Sequence, residues 1–275
     1  MARKLRVEYP GAIDHVMNRG DRREPIFRDE ADQTRFVETL GEVCGRSGWL
    51  VHAYCLMPNH FHLVVETPQP TLVAGMKWFL GTYTGRFNRR HKVFGHLFSG
   101  RYKALIVDGS GSGYLRRVCD YAHLNPARAQ LIKPQQRLRE YRWSSWPEYL
   151  KSPAKRPVWL RVDRVMGEAG IPKDSAAGRR ELERRMESRR AVEKPEDYRP
   201  IRRGWFFGWA NGWGLNITGM SAVELGKGND EKVKIAVRLR RETLMTVAWI
   251  AKRLRMGSVA NVNTLLFHRR RGKQK

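Results

Sequence analysis

The sequence predicts an α+β fold, because apolar patterns typical of strands and of helices follow one another along its first half. Strand patterns occupy residues 13–18, 49–57, 60–66 and 98–107. Helical spacing of apolar side chains occupies residues 30–44 and 72–87. The order strand, helix, strand, strand, helix, strand is the split β-α-β pattern of ferredoxin-like domains. Such a domain has an antiparallel sheet with both helices on one face, and its other face is open.

Turn and capping residues support the limits of these segments. Asp29 precedes the first helical pattern as an N-cap residue does, and Gly48 follows it where glycine favours termination. Only Pro58 and Asn59 separate the second strand pattern from the third, which predicts a hairpin. Thr71 is placed to cap the second helix.

The balance of charge predicts a polyanionic partner. The 275 residues carry a formal net charge of +26, and the pI is about 10.7. This excess is larger than an enzyme of small neutral substrates needs, and it favours nucleic acid as the partner. A membrane surface is the alternative, but no apolar run approaches the ~20 residues of a transmembrane helix, so we expect no membrane partner. The hydrophobic content of 41% is that of a globular protein with one or two domains.

The cysteines and the N-terminus indicate a cytoplasmic protein. Cys44, Cys55 and Cys119 are scattered and odd in number, which favours buried free thiols in a reducing compartment over disulfides. The basic residues at the N-terminus are not followed by an apolar stretch, so we expect no secretory signal.

Two histidines in the third strand are the first candidate functional residues. Alternation places His60, His62 and Glu66 on one face of the strand, and the apolar residues between them on the other. Imidazoles two residues apart stand side by side, so both can bind one metal ion. Two ordinary surface or core histidines are the alternative for an isolated His-x-His pair. Glu66 is a further candidate ligand or base, although a solvated strand end is the more common use of such a residue.

A third helical pattern follows the glycine-rich loop at residues 109–113 and ends near Asn125. Tyr121 and Asn125 are four residues apart, so they project from one face of this helix. If the amide oxygen of Asn125 joins the histidines at a metal, Tyr121 is close enough to attack a metal-bound phosphate. The ordinary pKa of tyrosine is about 10, so the phenol needs help in losing its proton. Tyr114 is the competing nucleophile, but Val118, four residues later, cannot bind metal.

The rest of the chain predicts a linker and a separate module. Residues 151–200 are dense in arginine, lysine and glutamate, which indicates a charged linker with a solvated helix at 176–193. An aromatic cluster at 205–213 is suited to stacking on unpaired bases or to a small core. We therefore divide the chain into a first domain at 1–150, the linker, and a helical DNA-binding module at 201–275.

Two short helical patterns lie near the C-terminus, at residues 246–254 and 259–266. Gly257 and Ser258 stand between them as a helix terminator and the next N-cap. This arrangement predicts a helix-turn-helix, whose second helix enters a DNA major groove. A plain helical hairpin with a basic tail is the alternative.

Three segments together resemble the single-tyrosine HUH transposases, in particular their REP-associated branch. They are Leu-Met-Pro-Asn-His-Phe-His-Leu at 56–63, Gly-His-Leu-Phe-Ser-Gly-Arg-Tyr at 95–102 and Tyr-Ala-His-Leu-Asn-Pro-Ala-Arg-Ala at 121–129. The resemblance covers roughly the first half of the chain. It implies that His60 and His62 are the metal-binding histidines of the HUH motif. It also implies that Tyr121 is the nucleophile and Asn125 the third ligand, in a catalytic domain at 1–150.

The resemblance also implies a cofactor, a substrate and a reaction. The cofactor is Mg²⁺ or Mn²⁺, whereas ligand softness alone favours Zn²⁺. The substrate is single-stranded DNA with hairpins such as REP-like palindromes, which is nicked and rejoined through a 5′-phosphotyrosine in a bacterial cell. The C-terminal module adds possible contacts to duplex DNA. The oligomeric state, monomer or homodimer, stays open, and the glycine-rich loop at 109–113 departs from the family's pattern.

Basic residues outside the site are predicted to hold DNA phosphates. They are Arg22, Arg23, Arg89, Arg90, Arg101, Arg269, Arg270 and Arg271. A non-catalytic DNA-binding regulator on the same fold is one alternative, but binding alone needs neither the histidine pair nor Tyr121. An RNA-binding domain with the same order of elements is another, and the aromatic sheet signature of such domains is not evident.

Overall fold

The computed structural model describes residues 8–111, 113–194, 197, 226–230, 232–234, 236–237, 247–254 and 256–271. The chain divides into two compact units, with residues 10–209 in the first and residues 1–9 and 210–275 in the second. The strands are β1 (Ala12–Arg19), β2 (Leu50–Met57), β3 (His60–Thr67) and β4 (Lys103–Ile106). The helices are α1 (Glu30–Ser47), α2 (Leu72–His91), α3 (Tyr114–Arg128), α4 (Trp146–Tyr149), α5 (Asp163–Glu168), α6 (Ala176–Val192), α7 (Val247–Arg253) and α8 (Val259–Arg271).

The four strands form one antiparallel sheet in the order β2-β3-β1-β4. This is the sheet that the split β-α-β pattern predicts, and the hairpin at Pro58 and Asn59 is confirmed by the pairing of β2 with β3. β4 is shorter than predicted and begins at Lys103. Phe98 makes only a single bridge to Gly20, and Gly100 then adopts a left-handed φ of +63°, so the chain turns before it pairs again.

Helices α1 and α2 pack on one face of the sheet. Asp29 caps α1 as predicted, since its carboxylate accepts a hydrogen bond from the backbone N–H of Asp32 at 3.1 Å. The ring of Phe36 on α1 lies 5.1 Å from Phe61 of β3 and 4.8 Å from Phe79 of α2. The apolar face of β3 is therefore buried under both helices, which leaves the histidine face on the opposite side.

Helix α3 packs on that opposite face, against β2 and β3. Its residues Val118 and Ala122 are buried, and the ring of Tyr121 meets the ring of His62. The predicted free thiols agree with this packing, because Cys44, Cys55 and Cys119 are all buried and unbonded to one another.

Helix α2 runs to His91, beyond the end of the helical pattern at residue 87. The reason is an ion-pair cluster that the local sequence does not reveal. Arg90 lies 2.6 Å from carboxylate oxygens of Asp29 and of Asp32, and His91 lies 2.8 Å from Asp32. These contacts fix the last turn of α2 against the first turn of α1.

The described residues between 151 and 194 belong to the first unit, unlike the solvated linker that composition suggests. The backbone of Val51 in β2 exchanges hydrogen bonds of 2.8 Å with Trp159 and Arg161. Helix α6 buries Leu182 and Met186, and its Arg189 forms an ion pair with Asp120 of α3. Some charged residues of α6 therefore hold the helix against the rest of the first unit.

The second unit contains α7 and α8, which agree with the two helical patterns near the C-terminus. Gly257 has a left-handed φ of +86°, and the Ser258 hydroxyl accepts a hydrogen bond from the N–H of Asn261 at 3.2 Å. Ile250 and Val262 are buried. The aromatic cluster at 205–213 lies outside the described residues. Within the part of the chain that the structure describes, no helix is long and apolar enough to cross a bilayer.

Candidate metal and tyrosine site

Strand β3 places His60 and His62 side by side on the face that α3 covers. Their ring centres are 5.2 Å apart, and Phe61 between them points to the opposite face. His62 is 5% exposed, whereas His60 is half-buried at the start of the strand. The pair therefore has one ring inside the domain and one at its rim.

Both histidines are neutral near pH 7. Burial, with a contribution from the charge of Arg19, lowers the pKa of His60 to about 4. Burial lowers the pKa of His62 well below its ordinary value, and the neighbouring His15 and His60 add to this effect. Metal ligation requires neutral imidazole, so the site provides the protonation state that an ion needs.

His15 is a third imidazole at this site, and the sequence did not reveal it. It lies on β1, 1% exposed, and its Nε2 atom is 3.0 Å from Nδ1 of His62. The two rings stack with centres 5.2 Å apart, and the ring of Tyr121 stands edge-on to His15 at 5.9 Å. The sequence showed His15 only as a residue of a strand. The register of β1 against β3 is what brings it beside His62.

Helix α3 brings Tyr121 to the histidines within one chain. The ring of Tyr121 is nearly perpendicular to that of His62, with centres 5.6 Å apart, and Tyr121 is 9% exposed. The guanidinium of Arg128 lies 4.6 Å from the centre of the same ring and donates to the Tyr121 carbonyl at 2.7 Å. Arg128 is in turn held by Glu193, which follows α6 and accepts two hydrogen bonds at 2.8 and 2.7 Å.

Asn125 lies one turn after Tyr121 and is also 9% exposed. Its side-chain amide donates to the carbonyl oxygen of Tyr121 at 3.0 Å, which leaves its own amide oxygen as a ligand atom. Among the described residues, no three histidine, cysteine, aspartate or glutamate side chains form a metal-binding group. An amide oxygen is a ligand type that divalent cations accept.

The donor atoms of the histidines also fit an ion. Nδ1 of His60 lies 2.8 Å from the amide oxygen of Asn59, so Nδ1 carries the proton and Nε2 has a free lone pair. Nδ1 of His62 lies 3.0 Å from Nε2 of His15, and the tautomer in which His62 Nδ1 donates to His15 leaves Nε2 of His62 for a ligand bond. The residues present are therefore compatible with a bound divalent cation.

Glu66 is neither a ligand nor a base at this site. Its carboxylate is 2.9 Å from Nε2 of His52, 3.0 Å from Arg164 and 3.2 Å from Arg161. Burial alone would raise its pKa, but these partners outweigh that effect and lower the pKa to about 2. Tyr114, the competing nucleophile, is half-buried at the start of α3 and packs against the core.

The arginines predicted to bind DNA fall into two groups. Arg22 and Arg23 are exposed in a short 3₁₀ turn with left-handed φ angles of 50° and 67°, and the Arg23 carbonyl accepts from the side-chain amide of Asn59. Arg89 and Arg101 are exposed as well. The remaining four residues differ. Arg90 lies in the ion pairs of α2, and Arg269 pairs with Asp230 in the second unit. The side chains of Arg270 and Arg271 lie outside the described part.

Two comparisons with known proteins find similarities to transposases. Residues 10–123 match the model of the family described as "Transposase IS200 like". One similar solved structure is a REP-associated tyrosine transposase bound to a REP hairpin, with 14% identity and a TM-score of 0.46 over 64% of this chain and 96% of that chain. No curated protein matches the chain. Residues 10–123 are therefore similar to the IS200-like transposases.

Proposed function

We propose that this protein nicks and rejoins single-stranded DNA that carries hairpins such as REP-like palindromes, with Tyr121 as the nucleophile. The observation that carries the proposal is the 5.6 Å approach of the Tyr121 ring to that of His62, between α3 and β3 of a single chain. The three sequence segments that resemble the REP-associated branch lie in the same domain, and they are the reason for naming hairpin DNA in a bacterial cytoplasm as the substrate.

In the proposed reaction, the phenol of Tyr121 gives its proton to water, and its oxygen bonds to the phosphorus that stays on the 5′ end created by the nick. The bond from phosphorus to the 3′ oxygen breaks, and that oxygen leaves as a hydroxyl after it takes up a proton. The phosphotyrosine keeps the energy of the broken ester, so attack by a 3′ hydroxyl reseals the strand without ATP. Arg128 orients the phenol by contact with its ring and by its hydrogen bond to the Tyr121 carbonyl.

The proposed cofactor is Mg²⁺ or Mn²⁺, with His60, His62 and Asn125 as its protein ligands. These residues would hold the ion beside the scissile phosphate, where it would polarise the phosphate and offset its growing charge. The neutral state of both histidines and the orientation of the Asn125 amide support this ligand set. His15 holds the ring of His62 in place from the opposite nitrogen.

The proposed path of the DNA follows the exposed arginines of the first unit. Arg22 and Arg23 lie on the turn that Asn59 holds, next to His60, and suit contact with phosphates beside the scissile one. The second unit is proposed to act as a helix-turn-helix module, with α8 and its basic end contacting duplex or hairpin DNA. Since Tyr121 and the histidines meet within one chain, a monomer is sufficient for the chemistry, and a homodimer is equally compatible with it.

A covalent-trapping experiment tests the proposal. The purified chain is incubated with Mg²⁺ or Mn²⁺ and labelled hairpin single strands taken from DNA beside its own gene, and adducts are detected on denaturing gels. Wild type and the control Tyr114→Phe are expected to form the adduct, whereas Tyr121→Phe forms none and still binds the DNA. An adduct that persists in Tyr121→Phe excludes this nucleophile. If the wild type binds DNA but forms no adduct, the result favours the alternative that the protein is a non-catalytic DNA-binding regulator.

A further inference from the structure

Phe94 has the most exposed aromatic side chain among the described residues, at 97%. It lies in the loop between α2 and β4. A single apolar side chain on a protein surface is common and by itself needs no explanation. What distinguishes Phe94 is a loop with fixed hydrogen bonds, a connection of that loop to the residue before His60, and an excess of cationic residues on the connected segments.

Hydrogen bonds hold the loop on both sides of Phe94. The backbone N–H of Val93 donates to the carbonyl of Asn88 at 3.0 Å, and the side-chain amide of Asn88 donates to the carbonyl of Gly95 at 3.1 Å. Gly95 adopts a φ of +99°, which a residue with a side chain rarely does. The ring of Phe94 is therefore held outward by an ordered backbone, and a ligand that contacts it has little loop entropy to overcome.

The same loop is tied to the end of the sheet that carries His60. The backbone N–H of Asp21 donates to the Leu97 carbonyl at 3.0 Å, and the N–H of Gly20 donates to the Asn59 carbonyl at 2.8 Å. Phe98 packs against Phe61 with ring centres 6.1 Å apart. Phe94 thus lies on a loop that is joined, through the turn at Gly20 and Asp21, to the residue directly before His60.

Cationic residues outnumber acidic ones on the two connected segments, 20–24 and 88–95. Four exposed cations are Arg22 and Arg23 in the turn, Arg89 in the last turn of α2, and Lys92, whereas Arg90 is paired with Asp29 and Asp32. Asp21 and Glu24 are the acidic residues of these segments. An exposed aromatic ring among cationic side chains is the surface by which proteins bind single strands, because the ring stacks on a base while the cations contact the backbone.

We propose that Phe94 is a stacking platform for an unpaired base of the DNA strand, on the loop that is joined to the His60 end of β3. This inference rests on the proposed function for its choice of single-stranded DNA. It adds a residue that recognises the base itself, whereas the arginines contact only phosphates. Every base has a π face, so Phe94 contributes affinity for unpaired strands of any sequence.

Binding measurements on the full chain test this role separately from the chemistry. All variants carry Tyr121→Phe, so that the strand is not cut, and affinity for a labelled single strand is measured by fluorescence anisotropy over a range of salt concentrations. Phe94→Ala is expected to weaken binding about 5- to 150-fold, as loss of one stacked base does, and Phe94→Trp to restore it. Val158→Ala, another highly exposed apolar site at 99%, serves as the control and is expected to change nothing.

The salt dependence distinguishes stacking from charge. Phe94→Ala is expected to leave the slope of log affinity against log salt unchanged, whereas Arg22→Ala reduces its magnitude by about 0.7 for each lost phosphate contact. Replacing single nucleotides by abasic ones locates the stacked base, since the effect of Phe94→Ala disappears when that base is absent.

Two results would overturn the stacking role. One is an affinity of Phe94→Ala within twofold of its parent. The other is an equal loss of affinity for a fully paired duplex, which offers no unpaired base. Neither result depends on adduct formation. If the wild type formed no adduct, the proposed reaction would be refuted, but the binding test of Phe94 would still be valid.

Discussion

Arg128 lies on the ring of Tyr121, and Glu193 holds it there. The guanidinium is 4.6 Å from the ring centre, and Glu193 accepts from two of its nitrogens at 2.8 and 2.7 Å. The side chains of Arg128 and Glu193 are only 15% and 7% exposed, so water competes weakly for this ion pair. Glu193 lies well beyond the segment 10–123 that matches the transposase family, and the end of α6 therefore contributes to the position of the candidate nucleophile.

Glu193→Gln is expected to slow adduct formation about 10- to 100-fold, because a loosened Arg128 no longer fixes the phenol. DNA affinity should stay within about twofold, since the pair contacts Tyr121 rather than the solvent-exposed arginines. The rate of covalent trapping at saturating DNA is the measurement. Glu181→Gln is the matched control, since Glu181 also belongs to α6 but pairs with Arg184 and Arg185 at the surface. Equal losses in both variants would show a general effect on α6 and refute the specific one.

His15→Phe is expected to weaken Mn²⁺ binding about 10- to 100-fold, as removal of a residue behind a metal ligand does. The phenyl ring keeps the stacking on His62 but cannot bond to its Nδ1 atom, so the ring of His62 loses its fixed orientation. Calorimetric titration of the DNA-free protein with Mn²⁺ measures the change. His268→Ala, at an exposed position of α8, is the control and should bind Mn²⁺ as wild type does. Unaltered Mn²⁺ affinity in His15→Phe would remove His15 from the site.

Asp120 makes the folding stability of the domain depend on pH. Burial raises its pKa to about 6, although the charges of Arg189 and Arg116 and the hydrogen bond from Arg189 oppose the shift, and Glu193 adds to it. The folded state thus holds this proton more tightly than the unfolded state, where the pKa is about 3.9. The resulting stabilisation is complete below pH 4 and is lost as the pH rises to about 6.

Asp120→Asn imitates the protonated acid at every pH. Relative to wild type, the variant should therefore gain on the order of 2 kcal/mol in its free energy of unfolding between pH 4 and pH 7. Urea unfolding at several pH values measures this difference. A constant difference between the two proteins across this window would show that Asp120 keeps its ordinary pKa in the fold.

Replacement by alanine is expected to have opposite effects on stability at two glycines of α2. A Cβ atom on Gly75 would lie 2.2 Å from the ring of Trp49, which is 1% exposed and cannot move aside. Gly75→Ala should therefore destabilise the domain, by about 1–3 kcal/mol as overpacking does. A Cβ atom on Gly81 meets nothing within 4 Å, so Gly81→Ala should stabilise α2 by up to about 1 kcal/mol. Thermal unfolding of the two variants measures both shifts, and a stabilised Gly75→Ala would contradict the packing described for Trp49.

The sequence predicted best what local patterns determine. The N-cap at Asp29 and the hairpin at Pro58 each depend on a few neighbouring residues. The alternation of β3 likewise separates Phe61 from His62 without any knowledge of the remaining fold.

What the sequence missed depends on contacts between distant residues. Arg90 extends α2 by pairing with Asp29, and His15 reaches His62 only through the register of β1 with β3. Helix α6 looked like a solvated tether because only Leu182 and Met186 are apolar on its buried side. Its attachment comes from charged residues whose partners cannot be read from composition.

The outer side of β2 has a consequence for assembly. Bridges to Leu160 and to Ser144 already use backbone groups of this strand at Val51 and at Cys55. A second copy of the domain therefore cannot add its own strand there and continue the sheet across a dimer axis. Before another polypeptide could add a strand at this edge of β2, the segments around Leu160 and Ser144 would have to detach from it.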